Sequence, residues 1–191
     1  GDRSGLRGSA PASSQPSSPA LPQINAEVFA LTYGSLVRQL ISDFEDVEAV
    51  NKQLEAMGYN IGVRLVDEFL AKSRLRKCGS FHETADVIAK QAFPMFLNMQ
   101  TSATRWSEDG KECSLVFAEN PLTEFVDLPE DLSKLKYLNV LCGVIRGALE
   151  MVNMDVDVHV EKDMLRGDEY HELRMRLKEY KDERFPYTED D

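Results

Sequence analysis

DVDVHVEKDMLRGDEYHELRMRLK, residues 155 to 178, alternates apolar and charged side chains on both sides of a turn, and its reading decides the fold. Successive side chains of a strand point to opposite faces, so Val156, Val158 and Val160 share one face and Asp155, Asp157, His159 and Glu161 the other. After the turn at Arg166-Gly167-Asp168 the alternation resumes, with Leu173, Met175 and Leu177 inward and Glu172, Arg174, Arg176 and Lys178 outward. The segment therefore reads as a hairpin whose outer face sets an acidic strand beside a basic one. Opposite charges facing each other across strands are favourable and help to hold the register. The inner face is apolar and needs a cover.

The preceding sequence supplies that cover and a second hairpin. Residues 137 to 152 place Leu141, Val144, Ile145, Ala148, Leu149 and Val152 on one side of a helix. Upstream, residues 103 to 107 and 111 to 117 flank Asp109-Gly110, a pairing that favours a tight hairpin turn, and Asn120-Pro121 and Leu128-Pro129 punctuate an irregular crossing. Ser80 followed by Glu83 makes a capping box that opens a helix through Ala85, Ile88, Ala92, Phe93 and Phe96. Pro94 lacks an amide hydrogen, so that helix should kink or end within a turn of it. Residues 46 to 75 repeat apolar side chains every three or four positions, and Gly58 and Gly62 on this helix let another helix or chain approach its backbone. A first helix begins at the N-cap Asn25, with Phe29, Tyr33, Leu36, Val37, Leu40 and Ile41 at helical spacing. The expected fold class is α+β, with helices packed on one face of an antiparallel sheet built from two hairpins. No internal repeat is visible.

Residues 1 to 24 differ from the rest. They hold six Ser, four Pro and three Gly, with Leu6, Leu21 and Ile24 as their large aliphatic residues, and read as a disordered extension. The expected organisation is this extension, a single domain over residues 25 to 180 and an acidic tail over 181 to 191. Across 191 residues, 22 Lys and Arg face 33 Asp and Glu, a net charge of -11, which disfavours nucleic acid and anionic membrane surfaces as partners. The longest apolar run, residues 140 to 145, is far short of the roughly 18 residues that a membrane-spanning helix needs. The N-terminus lacks the basic start and apolar stretch of a secretory signal, and three scattered cysteines make no disulfide framework. A reducing cytosolic location follows as the expectation.

No phosphate-binding glycine loop, nucleophile elbow or Cys-x-x-Cys pair is present, so a conventional active site is not expected. His82, His159 and His171 have no ligand spacing and read as surface or strand residues, and Cys78 with His82 is too sparse for zinc. Arg166-Gly167-Asp168 reads as a turn rather than an adhesion signal. Cys113 and Cys142 fall in apolar elements and read as small hydrophobes. Cys78 is different: Arg74, Arg76 and Lys77 precede it and a helix N-terminus follows, two features that stabilise a thiolate. On these residues alone it is either a nucleophile or an inert loop residue. Ala85, Ala89 and Ala92 form a small-residue stripe on the helix that follows. The stripe reads either as close helix packing or as a channel for something thin and apolar. An acyl chain on Cys78 would satisfy both clues.

Five segments then resemble one family in order and spacing. AEVFALTYGSLVRQL (26 to 40), VNKQLEAMGYNIGVRLVDEFLA (50 to 71), CGSFHETADVIAKQAF (78 to 93), NPLTEFVDLP (120 to 129) and LCGVIRGALEMVNM (141 to 154) are similar to the subunit 3 family of the TRAPP (transport protein particle) vesicle-tethering complex. The resemblance covers about residues 26 to 178. It implies a noncatalytic α+β scaffold that dimerises through its helices, with itself and with other small TRAPP subunits. The family's complex tethers ER-derived vesicles at the cis-Golgi, catalyses nucleotide exchange on a Rab GTPase and meets the COPII inner coat, which implies a cytoplasmic location peripheral to the Golgi and endoplasmic reticulum. The family also carries palmitate in thioester linkage within an apolar tunnel. The matching cysteine here is Cys78, with Ala85, Ala89 and Ala92 as expected tunnel lining and no metal or other cofactor. In the family the C-terminal tail approaches the GTPase, which gives Glu189, Asp190 and Asp191 here an expected role in competing with the nucleotide phosphates for the GTPase's lysine or its magnesium; a solvated tail is the other reading. A self-acylating carrier that passes its acyl group from Cys78 onward is the alternative function, and a lipid-free dimerisation module a third.

Overall fold

Asn25 opens the first helix, as its sequence position predicts: its side-chain oxygen accepts from the backbone N–H groups of Glu27 at 2.8 Å and Val28 at 3.2 Å. This is a computed structural model that describes residues 22–73, 75 and 78–181. Residues 1–21 of the N-terminal extension, the basic residues Arg74, Arg76 and Lys77, and the tail with Glu189, Asp190 and Asp191 lie outside the described residues. Helix α1 is Ala26–Asp43, and Ala30, Tyr33, Val37 and Leu40 are its buried side. Helix α2 is Val47–Ser73, uninterrupted by its glycines.

The capping box at Ser80 forms with one change of partner. Ser80 Oγ accepts from the Glu83 N–H at 3.2 Å, while the Glu83 carboxylate reaches the N–H of Gly79 at 2.7 Å rather than that of Ser80. Helix α3, Phe81–Val87, then widens into a π turn over Ile88–Ala92 and resumes as α4, Phe93–Leu97. Pro94 explains the widening. It cannot donate to the carbonyl one turn back, and the Phe93 N–H bonds to Ile88 O, five residues earlier. As expected, the helix is distorted at Pro94 and ends within a turn of it, at Leu97, where Asn98 in the left-handed conformation at φ 51° closes it.

Strands β1 (Ser102–Thr104) and β2 (Glu112–Phe117) form the first hairpin. Gly110 takes φ 67°, and Asp109 accepts from the Lys111 N–H at 3.1 Å and from the Ser107 hydroxyl at 2.6 Å. β1 is shorter than its pattern because Arg105, at φ 56°, turns the chain out of the extended conformation. After the crossing segment comes α5, Asn139–Glu150, then β3, Met154–Lys162, and β4, His171–Tyr180. The sheet order is β1-β2-β4-β3, all antiparallel, so the two hairpins meet along β2 and β4 with Leu115 opposite Leu173 and Cys113 opposite Met175. The basic strand β4 is flanked by acidic partners on both sides: Arg174 pairs with Glu112 on β2 at 3.0 Å, and Lys178 with Asp157 on β3 at 3.1 Å.

The helices cover the sheet's apolar face. Leu54, Leu115, Leu173, Met175 and Val156 are wholly buried there, each worth roughly 1.5–3 kcal/mol of transfer free energy. The tightest seam is between α2 and α5, which run side by side in the same direction. A Cβ placed on Gly58 would lie 2.0 Å from the carbonyl oxygen of Val140, and one on Gly143 would lie 2.1 Å from that of Glu55. The close approach expected at Gly58 and Gly62 is therefore made by a matching pair, Gly143 and Gly147, four residues apart on the other helix.

Candidate functional site: an apolar cavity that begins at Cys78

A cavity of about 1010 Å³ lies between α1, α2, α5 and the α3–π–α4 helix. Leu141, Ile145, Ala148 and Leu149 of α5, Leu65 and Phe69 of α2, and Ile88 and Phe93 form its body. Among the lining residues, polar groups are turned elsewhere. The Tyr33 hydroxyl donates to the Tyr137 carbonyl at 2.6 Å, and the Thr84 hydroxyl to the Ser80 carbonyl at 2.9 Å. Burial among its neighbours raises the Tyr33 phenol well above its ordinary range, with Tyr137 and Cys142 adding to the effect, so it stays neutral.

The lining reaches the surface at Cys78 and also along α2, where Ile61 and Leu70 are exposed. Cys78, half-buried, and Gly79, exposed, form the lining at the surface, together with Tyr180 and Lys181. Tyr180 ties this end together, since its hydroxyl accepts the Phe81 N–H, the first of α3, at 3.0 Å. Lys181 donates through its backbone to Asn153 O at 2.8 Å and through its ammonium to Glu150 at 2.6 Å, and Glu150 also accepts from the Tyr59 hydroxyl at 2.9 Å. Those hydrogen bonds from Lys181 and then Tyr59 hold the Glu150 carboxyl below its ordinary range. Elsewhere the lining includes the buried Tyr33, Leu122, Val140 and Leu141.

The expected site residues fall in three groups. Cys78 and Ala92 line the cavity. Ala85 and Ala89 do not: both are fully buried in the core, and the helix turns the neighbouring stripe Thr84, Ile88 and Ala92 toward the space. A stripe read by small size marked the packed side, because alanine is where the helix sits closest to its neighbours; larger residues, one position around, border the gap. Glu189, Asp190 and Asp191 lie outside the described residues. The spacing of Gly143 and Gly147 matched that of Gly58 and Gly62 and could have revealed the seam, whereas nothing local marks Tyr180 and Lys181, which meet α3 and α5 only through the fold.

The other reactive groups are occupied. Burial pushes the thiols of Cys113 and Cys142 up to about 12, leaving both protonated near neutral pH. His82 stacks on Trp106 with ring centres 4.3 Å apart. His171 is not a surface residue: it is buried at 1% exposure between Asp163 and Thr123, each at 3.3 Å. Arg166-Gly167-Asp168 is a turn, with Gly167 at φ 93° and Arg166 donating to Leu135 O at 3.1 Å. Among the described residues no helix is long and apolar enough to cross a membrane, and no three His, Cys, Asp or Glu side chains cluster.

An antiparallel sheet covered on one face by helices, with an apolar cavity between the helices and a half-buried cysteine in its lining, defines a class of small α+β proteins built around an internal apolar space. The profile of the transport protein particle (TRAPP) component family matches residues 29–176, and the chain belongs to that family. It is 50% identical over 165 residues to the Schizosaccharomyces pombe transport protein particle subunit bet3, covering 86% of this chain and 90% of the relative. It is 46% identical over 170 residues to the Saccharomyces cerevisiae trafficking protein particle complex subunit BET3, covering 88% of each chain. A crystal structure of trafficking protein particle complex subunit 3 from Naegleria fowleri, covalently bound to palmitic acid, is similar at a TM-score of 0.80 and 54% identity over 83% of this chain and 98% of that one. Membership makes this a component of vesicle-transport machinery that associates with other TRAPP subunits.

Proposed function

We propose that this chain is a noncatalytic scaffold subunit of a TRAPP complex, acylated on Cys78, with the acyl chain held inside the protein. The observation that carries the reading is the apolar cavity with Cys78 in its lining where the cavity meets the surface. The residues fit such a group. A methylene takes about the space of a water molecule, about 30 Å³, so sixteen carbons need about 480 Å³, within the 1010 Å³ present. No lining polar group lacks a partner in a way that asks for a polar ligand: the Tyr33 and Thr84 hydroxyls already donate to backbone carbonyls. When bound, a palmitoyl thioester supplies buried apolar surface and removes the thiol from chemistry. The solved Naegleria fowleri relative that carries covalent palmitic acid supports the same assignment.

The scaffold role rests on surfaces as well. On α1 the apolar side chains of Val28 and Leu31 are 59% and 66% exposed, and Ile61 and Leu70 of α2 are also exposed, more apolar surface than a lone subunit leaves in water. These helices are the docking faces for a second copy or for another small TRAPP subunit. Through the assembled complex the chain contributes to nucleotide exchange on a Rab GTPase and to tethering of ER-derived vesicles at the cis-Golgi, with the COPII inner coat as a further contact. The domain responsible is residues 25 to 180; the Ser/Pro-rich segment 1 to 24 is an appendage, and the tail Glu189, Asp190 and Asp191 reaches toward the GTPase.

Intact mass before and after hydroxylamine tests the central step. A palmitoyl-sized loss that maps to Cys78, and is missing from Cys78→Ser, supports the assignment. An unmodified Cys78 from a eukaryotic expression host refutes it, and turnover of a labelled acyl donor into a second product replaces the scaffold by a carrier. Deleting residues 1 to 24 should leave the melting temperature unchanged; a fall of many degrees would move the domain boundary.

A further inference from the structure

We infer that Tyr170 is a tyrosine phosphorylation site whose phosphate is received by Arg105 and Lys162 of the same chain. The site is separate from Cys78 and its cavity, whose lining includes none of these three residues.

Tyr170 stands in the connection from β3 to β4, one residue before β4 begins, and is half-buried. The four residues ahead of it, Arg166, Gly167, Asp168 and Glu169, are exposed, so a kinase can reach the segment from outside. Asp168 and Glu169 come directly before the tyrosine, an acidic approach that suits a kinase with a basic peptide cleft.

Two cations converge on the phenol. Arg105, just after β1, donates from Nη2 to the hydroxyl, and Lys162, the last residue of β3, donates to it from Nζ at 2.8 Å. Each also lies over the ring, the guanidinium carbon 5.3 Å and the ammonium nitrogen 4.5 Å from its centre. Positive charge thus holds both the ring and its oxygen, which is what a phosphorylated tyrosine asks of a binding site: cations against the ring and charged N–H donors at the phosphate. Lys162 and then Arg105 also hold the phenol below its ordinary range, the same preference for a negative group at that oxygen.

The fork of Arg105 keeps two tasks apart, since Nη1 goes to the buried carboxylate of Glu172 and Nη2 to Tyr170. A phosphate takes up the Nη2 arm and Lys162 and leaves Glu172 paired. Arg105 reaches both partners from a left-handed backbone at φ 56°, a conformation uncommon for arginine, and its carbonyl accepts from Arg174 at 3.1 Å. Strain kept at a residue that contacts the phenol, the carboxylate and the next strand marks a built arrangement rather than a chance surface pair. Two cations and one carboxylate leave this spot positive in a chain of net charge -11, and a phosphate of about -2 reverses its sign.

In the reaction the Tyr170 oxygen attacks the terminal phosphorus of a nucleoside triphosphate held by the kinase. An O–P bond forms, the bond from that phosphorus to the bridging oxygen breaks, the nucleoside diphosphate leaves, and the phenolic proton passes to the kinase's catalytic base.

The test incubates the full-length protein with ATP and a broad-specificity tyrosine kinase domain, maps the phosphate by peptide mass analysis, and then follows its removal by a tyrosine phosphatase. Tyr170 should carry phosphate, and Tyr170→Phe should lose that phosphopeptide. Lys162→Gln, which leaves the Arg105–Glu172 pair in place, should speed dephosphorylation at Tyr170 about tenfold, the factor for one charge-assisted hydrogen bond. No phosphate on Tyr170 of the folded chain overturns the site. Phosphate there that Lys162→Gln releases no faster than the parent overturns the part played by the two cations.

Discussion

Helix α5 faces two neighbours in opposite ways. Toward α2 its Gly143 and Gly147 meet backbone directly, with no room for a methyl group. Toward α3 its Leu141, Ile145 and Leu149 border a cavity of about 1010 Å³. Small residues closed the first seam and large ones failed to close the second. Packing depends on whether two backbones can approach, not on how much side chain each brings. The seam is the rigid floor on which a fillable space is built.

The sharpest way to break this contrast is to put a side chain into the seam. Gly62→Leu should abolish the folded state, because a Cβ there would already sit 2.1 Å from the Val144 oxygen and the atoms it meets are backbone. Circular dichroism would check it, and a cooperative melt near that of the parent would show that α2 and α5 can separate. At the cavity the expected loss is smaller. Sixteen carbons bring about fifteen groups at about 0.8 kcal/mol each, an upper bound on the order of 10 kcal/mol before ordering costs. Cys78→Ser should therefore lower the melting temperature of acylated protein by several degrees with the fold retained, and Ala92→Leu should reproduce the defect by filling the space with Cys78 intact. If Ala92→Leu changes neither acylation nor melting, while Cys78→Ser abolishes liposome binding, the chain points outward.

Thiol chemistry sharpens the same comparison. With Cys113 and Cys142 raised to about 12 by burial, deacylated native protein at pH 8 should take up one iodoacetamide, on Cys78, and three only after denaturation. Peptide mass mapping would show it, and fast labelling of Cys142 in native protein would mean that α5 is loosely held. The smallest effect belongs to the lining at Lys181. The Glu150 carboxyl is held below its ordinary 4.5 by Lys181 and Tyr59, so its pairing stabilises the fold above that value and is lost as pH falls through the depressed one. Glu150 is 38% exposed, so Glu150→Gln should cost under about 1 kcal/mol at pH 7 and nothing near pH 2. A chemical-denaturation series across pH would find a larger cost if Lys181 closes the cavity mouth.

Local pattern carried much of the fold. The alternation of residues 155 to 178 set the β3–β4 hairpin and its inner face; Asn25 set the start of α1, Ser80 that of α3, and Asp109-Gly110 the β1–β2 turn. Each is a short-range preference whose physics lies within a few residues, so it can be read in sequence order. Cys78 was visible for the same reason, through the charges and helix start beside it.

Tertiary structure decided what depended on how far apart elements stand. That Ala92 but not Ala85 or Ala89 faces the cavity depends on how the helix is rotated against the sheet, on which Ala85 and Ala89 are buried. That Tyr180, Lys181 and Tyr33 line one cavity follows from β4 reaching α3, and α1 reaching the chain just before α5, across separations of 99 and 104 residues. His171 lies on the inward face with Leu173, Met175 and Leu177, and Thr123 and Asp163 cover it from the crossing segment and the turn, whereas Glu172 is 2% exposed although alternation points it outward, because Arg105 packs against it. Periodicity names the face a residue shares with its neighbours along the chain; only packed backbones determine whether that face meets a helix, water or empty space.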